Sequence, residues 1–487
     1  MRQLRKMFAC LLLMTLLPLT AAALEQAADI TTGTVFSGAG LEEYSFLYDG
    51  VDTESVYFGQ ELQLDNPGGI AGISVVFDYP VAYRVRDLES NRVLEAGEQG
   101  FLHCFSDLEG FFGKAPASLK LEFPQGAMLC ELRVYSSGQL PDTVQQWQKP
   151  HTGGADIVLF STHGDDEQLY FAGLLPHYAA QEDLAVQVVY MTDHRGNSGS
   201  VRMHEMLNGL WAVGIRAYPV FGHFPDFKLP YREHTYQEYE NLGYSREELL
   251  EYVVENLRRF RPQVAVGHDL NGEYGHGMHK VYADLLTKAV AVSNDPEYFP
   301  DSAERYGVWD VPKTYLHLYK ENPIVMDFDQ PLDAFDGLTA FQVCQQRGYP
   351  CHISQQYGQY VYWLYGPGNS ITSTTQITHY NPAYYGLYRS TVGEDTGKKD
   401  MMENLISYAA QSQIHEAEMA RLQAIVEEYQ LARQQESQLL REPDPVEAEL
   451  GEQPQESGKF PVAALVLALL SVGSAAALFR YRKIFEK

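Results

Sequence analysis

The chain has 487 residues, 45% hydrophobic and 12% aromatic. That composition supplies enough apolar side chains for a sizeable core and excludes wholesale disorder. A formal net charge of −28 argues against a nucleic-acid partner, because binding phosphates needs a cationic surface.

Arg2, Arg5 and Lys6 precede an apolar run over residues 7–19 and the small residues Ala21, Ala22 and Ala23. This is the pattern of a signal peptide over 1–23, an uncleaved anchor being the alternative. Residues 24–148 read as all-β. Short apolar or alternating runs at 72–77, 82–85, 118–123 and 128–135 recur between Gly, Pro, Asp and Asn clusters, which predicts a β-sandwich. Asp49-Gly50 and the closing run at 128–135 resemble galactose-binding-like modules, so the block reads either as a sugar-binding module or as a spacer packed on its neighbour. Outside the leader, Cys104, Cys130, Cys344 and Cys351 are even in number, which in an exported protein permits the bridges Cys104–Cys130 and Cys344–Cys351.

Over 149–400 the pattern becomes α/β, with strands at 156–162, 185–192, 218–221 and 262–267. Helices are predicted at 169–180, 202–214, 245–260 (Ser245 as N-cap) and 280–290. Alternating strands and helices imply a Rossmann-like, mostly parallel sheet, in which ligands collect at the carboxyl ends of strands. Residues 401–459 read as a polar stalk helix with a thin stripe (Leu422, Ile425, Tyr429, Ala432, Leu439), then an acidic, proline-containing linker. Residues 460–479 carry no charge and match a bilayer-spanning helix, followed by the basic tail 480–487. The expected arrangement is a single-pass membrane protein with its folded part outside the cell.

The chemistry concentrates at two strand ends. His163-Gly164-Asp165-Asp166-Glu167 follows the first α/β strand, and His268-Asp269 with Gly275-His276-Gly277-Met278-His279 follows the strand ending at 267. His163, Asp166 and His279 then offer three N and O ligands to one ion, the number a catalytic zinc site uses while keeping a position open for water. Asp165, between two of them, points elsewhere and is placed to hold a water.

The pair of turns resembles the PIG-L/LmbE-like de-N-acetylases, whose signatures are His-Pro-Asp-Asp-Glu and Gly-His-Pro-Asp-His; the resemblance extends over roughly 152–395. It implies zinc on His163, Asp166 and His279, Asp165 as general base, and His276 stabilising the oxyanion or assisting proton transfer. It also implies a substrate contact for Arg202, in Arg202-x-x-Glu205. Two departures stand out. Gly164 replaces proline and is expected to loosen the turn. Gly277-Met278 replace Pro-Asp, removing a carboxylate near His279, for which Asp269 or Glu273 would substitute. His194, Asp226 and His317 read as loop or packing residues, and His352 either as pocket lining or as structural. The function implied is removal of N-acetyl groups from an N-acetylhexosamine in an extracellular glycan, glycolipid or conjugate. The alternatives are hydrolysis of a non-sugar acylamine and non-catalytic glycan binding.

Overall fold

The computed structural model describes residues 25–439, apart from 39, 41–42, 58–59, 196–198 and 356–369. The expected signal peptide, the linker beyond residue 439 and the apolar segment 460–479 lie outside the described residues. Among the described residues no helix is long and apolar enough to cross a membrane.

The β-rich block contributes β1 (Val35–Gly38), β2 (Val56–Tyr57), β3 (Glu61–Asp65), β4 (Gly72–Phe77), β5 (Tyr83–Asp87), β6 (Val93–Ala96), β7 (His103–Asp107), β8 (Ser118–Glu122) and β9 (Met128–Tyr135). They form two antiparallel sheets, ordered β1-β3-β8-β5-β6 and β2-β9-β4-β7. Period-two alternation sets the buried faces: Leu62 and Leu64, Tyr83 and Val85, Leu119 and Leu121 point inward, their neighbours outward. The two proposed disulfides are absent, and all four cysteines are free thiols. Cys104 on β7 and Cys130 on β9 are separated by β4, so two strand spacings of about 4.8 Å each put them beyond a bridge's reach. Cys344 Sγ instead accepts the Gly173 N–H, and Cys351 Sγ donates to the Arg347 carbonyl.

The α/β block adds β10 (Ile157–Ser161), β11 (Val186–Tyr190), β12 (Val264–Gly267), β13 (Lys313–His317), β14 (Pro323–Val325) and β15 (Tyr384–Ser390), in the order β11-β10-β12-β13-β15-β14. The first four strands are parallel and the last two pair antiparallel, giving the mostly parallel sheet expected. Its four parallel strands are buried on both faces. Ile157, Leu159, Val188 and Val266 join the core shared with the β-rich block. Val158, Phe160, Val189 and Ala265 pack on the helices Arg246–Phe260 and Gly277–Val292 through Val253, Leu257, Val281 and Leu285. The Ser245 cap is present as a full capping box with Glu248.

Two expected elements differ. The helix predicted at 169–180 is broken into Asp166–Leu169 and a wide-turned segment, Pro176–Gln181, because Gly173 adopts a φ of 99° and Pro176 lacks an N–H. The strand predicted at 218–221 pairs only through isolated bridges, since Pro219 has no N–H to give a ladder. The described residues up to Ser407 form one compact unit. The second unit, as described, is the helix Tyr408–Leu439, whose Leu422, Ile425 and Tyr429 are exposed.

Candidate metal centre

The turn after β10 and the loop after β12 meet because β10 and β12 are adjacent, parallel strands that end at the same edge. His163 Nδ1, Asp166 Oδ2 and His279 Nε2 converge there: 3.0 Å from His163 to Asp166, 3.1 Å between the histidines and 3.2 Å from His279 to Asp166. All three side chains are buried.

A divalent ion fits this trio. Bonds of about 2.0–2.1 Å in a tetrahedral site space the ligand atoms about 3.3 Å apart, close to what is seen. The outer nitrogen of each histidine faces a carboxylate, His163 Nε2 at 3.0 Å from Asp226 and His279 Nδ1 at 2.7 Å from Glu273. Protons held on those outer nitrogens leave the inner lone pairs aimed at each other and at a carboxylate, an arrangement that calls for a cation between them. Electrostatics agree. Burial would lower both histidines, but Asp226 and Asp166 lift His163 to about 10, and Asp166 and Glu273 lift His279 to about 9. Burial would raise Asp166, yet His279 and His163 hold it well below the usual carboxylate range.

Glu273 takes the place of the carboxylate lost at Met278. Fully buried, it contacts His279, His268 (2.9 Å to Nδ1) and His317 (2.7 Å to Nδ1). Asp269, the other residue proposed for that role, does not reach a histidine: it accepts from the Asn271 backbone and side chain. His268 lies close to Asp166 and His279, but its Nε2 lone pair already accepts the Thr162 N–H, so it braces the site instead of ligating. Met278 is fully buried in the second core and its N–H caps onto His276 Nδ1.

Asp165 stands beside the trio with its pKa raised, chiefly by burial. Arg202 lies 3.6 Å from Asp165 and donates to the Gly164 carbonyl at 3.4 Å, which sets its guanidinium beside the candidate base. Burial, with His163 and His279 nearby, pushes the pKa of His276 down to about 2, so the ring is neutral. Because Nδ1 accepts the Met278 N–H, the proton sits on Nε2.

Gly164 does not loosen its turn. Its N–H donates to His194 Nε2, a bond no proline could make, and the buried Met206 fills the space of a β-carbon. Gly277 likewise donates to the Leu229 carbonyl at 2.7 Å. Asp226 and His317 had no role beyond packing in the sequence, yet they brace His163 and Glu273. Both occupy strand-end positions, His317 closing β13 and Asp226 following the bridge at Phe224, and that placement was the available signal. Tyr274, also unremarked, stacks edge-on against His276 and His279 with a left-handed φ of 45°, a conformation that costs about 1–3 kcal/mol and collects at functional sites.

A His-Asp-His trio with an adjacent half-buried aspartate, at the carboxyl edge of a mostly parallel sheet, makes a candidate metal centre on an α/β fold. Residues 158–290 match the family model described as GlcNAc-PI de-N-acetylase. It is similar to the 1D-myo-inositol 2-acetamido-2-deoxy-alpha-D-glucopyranoside deacetylases of Catenulispora acidiphila (26% identity, covering 34% of this chain and 56% of that protein) and Frankia alni (27%, covering 31% and 59%). The chain thus spans less than two thirds of the length of the curated relatives it matches. Among solved structures, N,N'-diacetylchitobiose deacetylase from Pyrococcus horikoshii aligns over 47% of this chain and 84% of that one, at 18% identity and a TM-score of 0.30.

Proposed function

We propose that this protein is a zinc-dependent deacetylase that cleaves the N-acetyl amide of an N-acetylhexosamine in an extracellular glycan, glycolipid or conjugate. The convergence of His163, Asp166 and His279 within 3.2 Å of one another carries the reading. The relatives, named as deacetylases of an acetamido sugar, support the substrate class. The leader-like residues 1–23 and the apolar segment 460–479 support an outside location tethered to the membrane.

An ion held by the trio would supply a Lewis acid for the amide carbonyl and lower the pKa of a water. Asp165, kept in place by Arg202, accepts the proton of the attacking water and returns it to the departing amine, which an amide requires because an amide anion is a poor leaving group. His276 donates its Nε2–H to the developing oxyanion without being charged.

The test is incubation of the zinc-loaded full chain with a panel of N-acetylglucosamine conjugates, read as acetate release and loss of one acetyl group by mass spectrometry. Asp165→Asn is expected to retain metal and lose about 10²–10⁴ in rate. Zinc-loaded protein that releases acetate from no amino sugar overturns the sugar reading. Labelling of intact cells with a membrane-impermeant reagent tests the location.

A further inference from the structure

Glu167 immediately follows the metal ligand Asp166 and is fully buried. Its Oε1 lies 3.1 Å from Nε2 of His352, which is equally buried and comes from far outside the family-matched residues. A buried carboxylate is costly unless paired, and Glu167 faces His352 and the Tyr190 hydroxyl, so the position of Glu167, and of the turn that carries it, is coupled to where His352 sits. The segment around His352 touches that turn a second time. Gly348 lies against Gln168, whose Oε1 is 2.2 Å from where a β-carbon on the glycine would be.

The same segment grips the helix Val201–Ala212. Ser354 donates both its N–H and its hydroxyl to the Glu205 carboxylate, each at 2.7 Å, and Gly209 leaves room for His352, whose Nε2 is 2.8 Å from the site of a missing β-carbon. This helix carries Arg202, the partner of Asp165. Residues 348–354 therefore hold both halves of the Asp165–Arg202 pair, the turn through Glu167 and Gln168 and the helix through Glu205 and Gly209.

We infer that His352 is a positioning residue for Asp165, acting through Glu167, and that residues 348–354 form a brace that sets the geometry of the general base. The rate part of this inference rests on the proposed deacetylase activity; its structural part does not. A misplacement of about 1 Å can cost two orders of magnitude in rate, so the brace is expected to act on turnover.

The experiment compares the full-length wild type with His352→Gln, Glu167→Gln and the double variant. The expected result is unchanged zinc content, KM within about twofold, and kcat lowered at least about tenfold in each single variant. The double variant is expected to be no slower than the worse single, since both remove one link. Amide exchange over residues 163–169 is expected to accelerate in His352→Gln while β12 and β13 stay protected. Unchanged kcat with unchanged exchange, losses that track zinc loss, or independent multiplying effects would overturn the proposal. If the wild type deacetylates nothing, the proposed function fails, and exchange and zinc content still decide whether the brace exists. Should His352→Gln not fold, Ser354→Ala, at an exposed position, replaces it: a kcat reduction of about threefold with zinc retained supports the brace, and an unchanged kcat overturns it.

Discussion

The two turns that build the metal centre solve one problem in different ways. The turn after β10 is self-sufficient in ligands: within four consecutive residues, His163 to Asp166, it supplies an imidazole, a carboxylate ligand and the candidate base. Its supports are borrowed from distant segments, Asp226 for His163, Arg202 for Asp165 and His352 for Glu167. The turn after β12 supplies one ligand, His279, and builds that ligand's support locally, because the loop folds back and sets Glu273 under three histidines. The difference teaches that the carboxylate missing at Met278 is relocated within the same loop. A position in a motif can be vacated when the fold brings an equivalent group to the same atom.

The largest expected effect comes from the atom both turns share. Asp166→Ala removes the carboxylate that lies against His163 and His279, and zinc content measured by elemental analysis is expected to fall to background, with activity lost. Full zinc content in this variant would break the assignment of the trio. Next come the two supports. Glu273→Gln and Asp226→Asn are each expected to weaken zinc affinity about 10–100-fold, as loss of a partner behind a ligating histidine does. Glu273 is expected to be the larger because it contacts three imidazoles and Asp226 contacts one. A competition titration with a chelating dye checks the order, and equal effects would dissolve the contrast between the turns.

In the zinc-free protein the trio holds protons in the ion's place, which gives a pH dependence of defined sign. His163 and His279 are raised to about 10 and about 9 in the folded chain, against about 6.5 unfolded. Their contribution to stability is fully present below pH 6.5 and is lost as pH rises through 9 to 10. Thermal unfolding in excess chelator is expected to show Tm falling across that window. The zinc-loaded protein is expected to fall less, because the ion displaces those protons. A flat chelator profile would show that the carboxylates do not act on these imidazoles as the distances require.

How much of this was legible in the sequence follows from how local each interaction is. The capping box at Ser245, β4 at Gly72–Phe77 and β9 at Met128–Tyr135 depend on neighbouring residues and periodicity, and they read directly. His163, Asp165, Asp166, His276 and His279 read as a site because each sits at a strand end in a compact motif. Asp226 and His317 did not, because their partners lie 63 and 44 residues away and only the sheet order brings them together. The disulfide pairing failed for the same reason. Nearness in sequence suggested Cys104–Cys130, and an intervening strand separates them.

The smallest expected effects concern the two glycines that stand where the resembling motifs carry proline. Each uses its N–H, Gly164 toward His194 and Gly277 toward the Leu229 carbonyl, and each has too little room for a β-carbon, beside Met206 in one case and Thr235 in the other. Restoring the family residue is therefore expected to harm this chain. Gly164→Pro and Gly277→Pro each remove one buried hydrogen bond and force neighbours apart, at a cost of about 1–3 kcal/mol. Gly277→Pro is expected to be the worse, because the atoms nearest the added β-carbon include the Leu229 backbone carbonyl, which has less freedom to move than the flexible end of Met206. Urea unfolding of the zinc-free variants measures both costs without involving the ion. A stabilised Gly164→Pro would mean that the first turn is loose after all, and would place the two turns on the same footing.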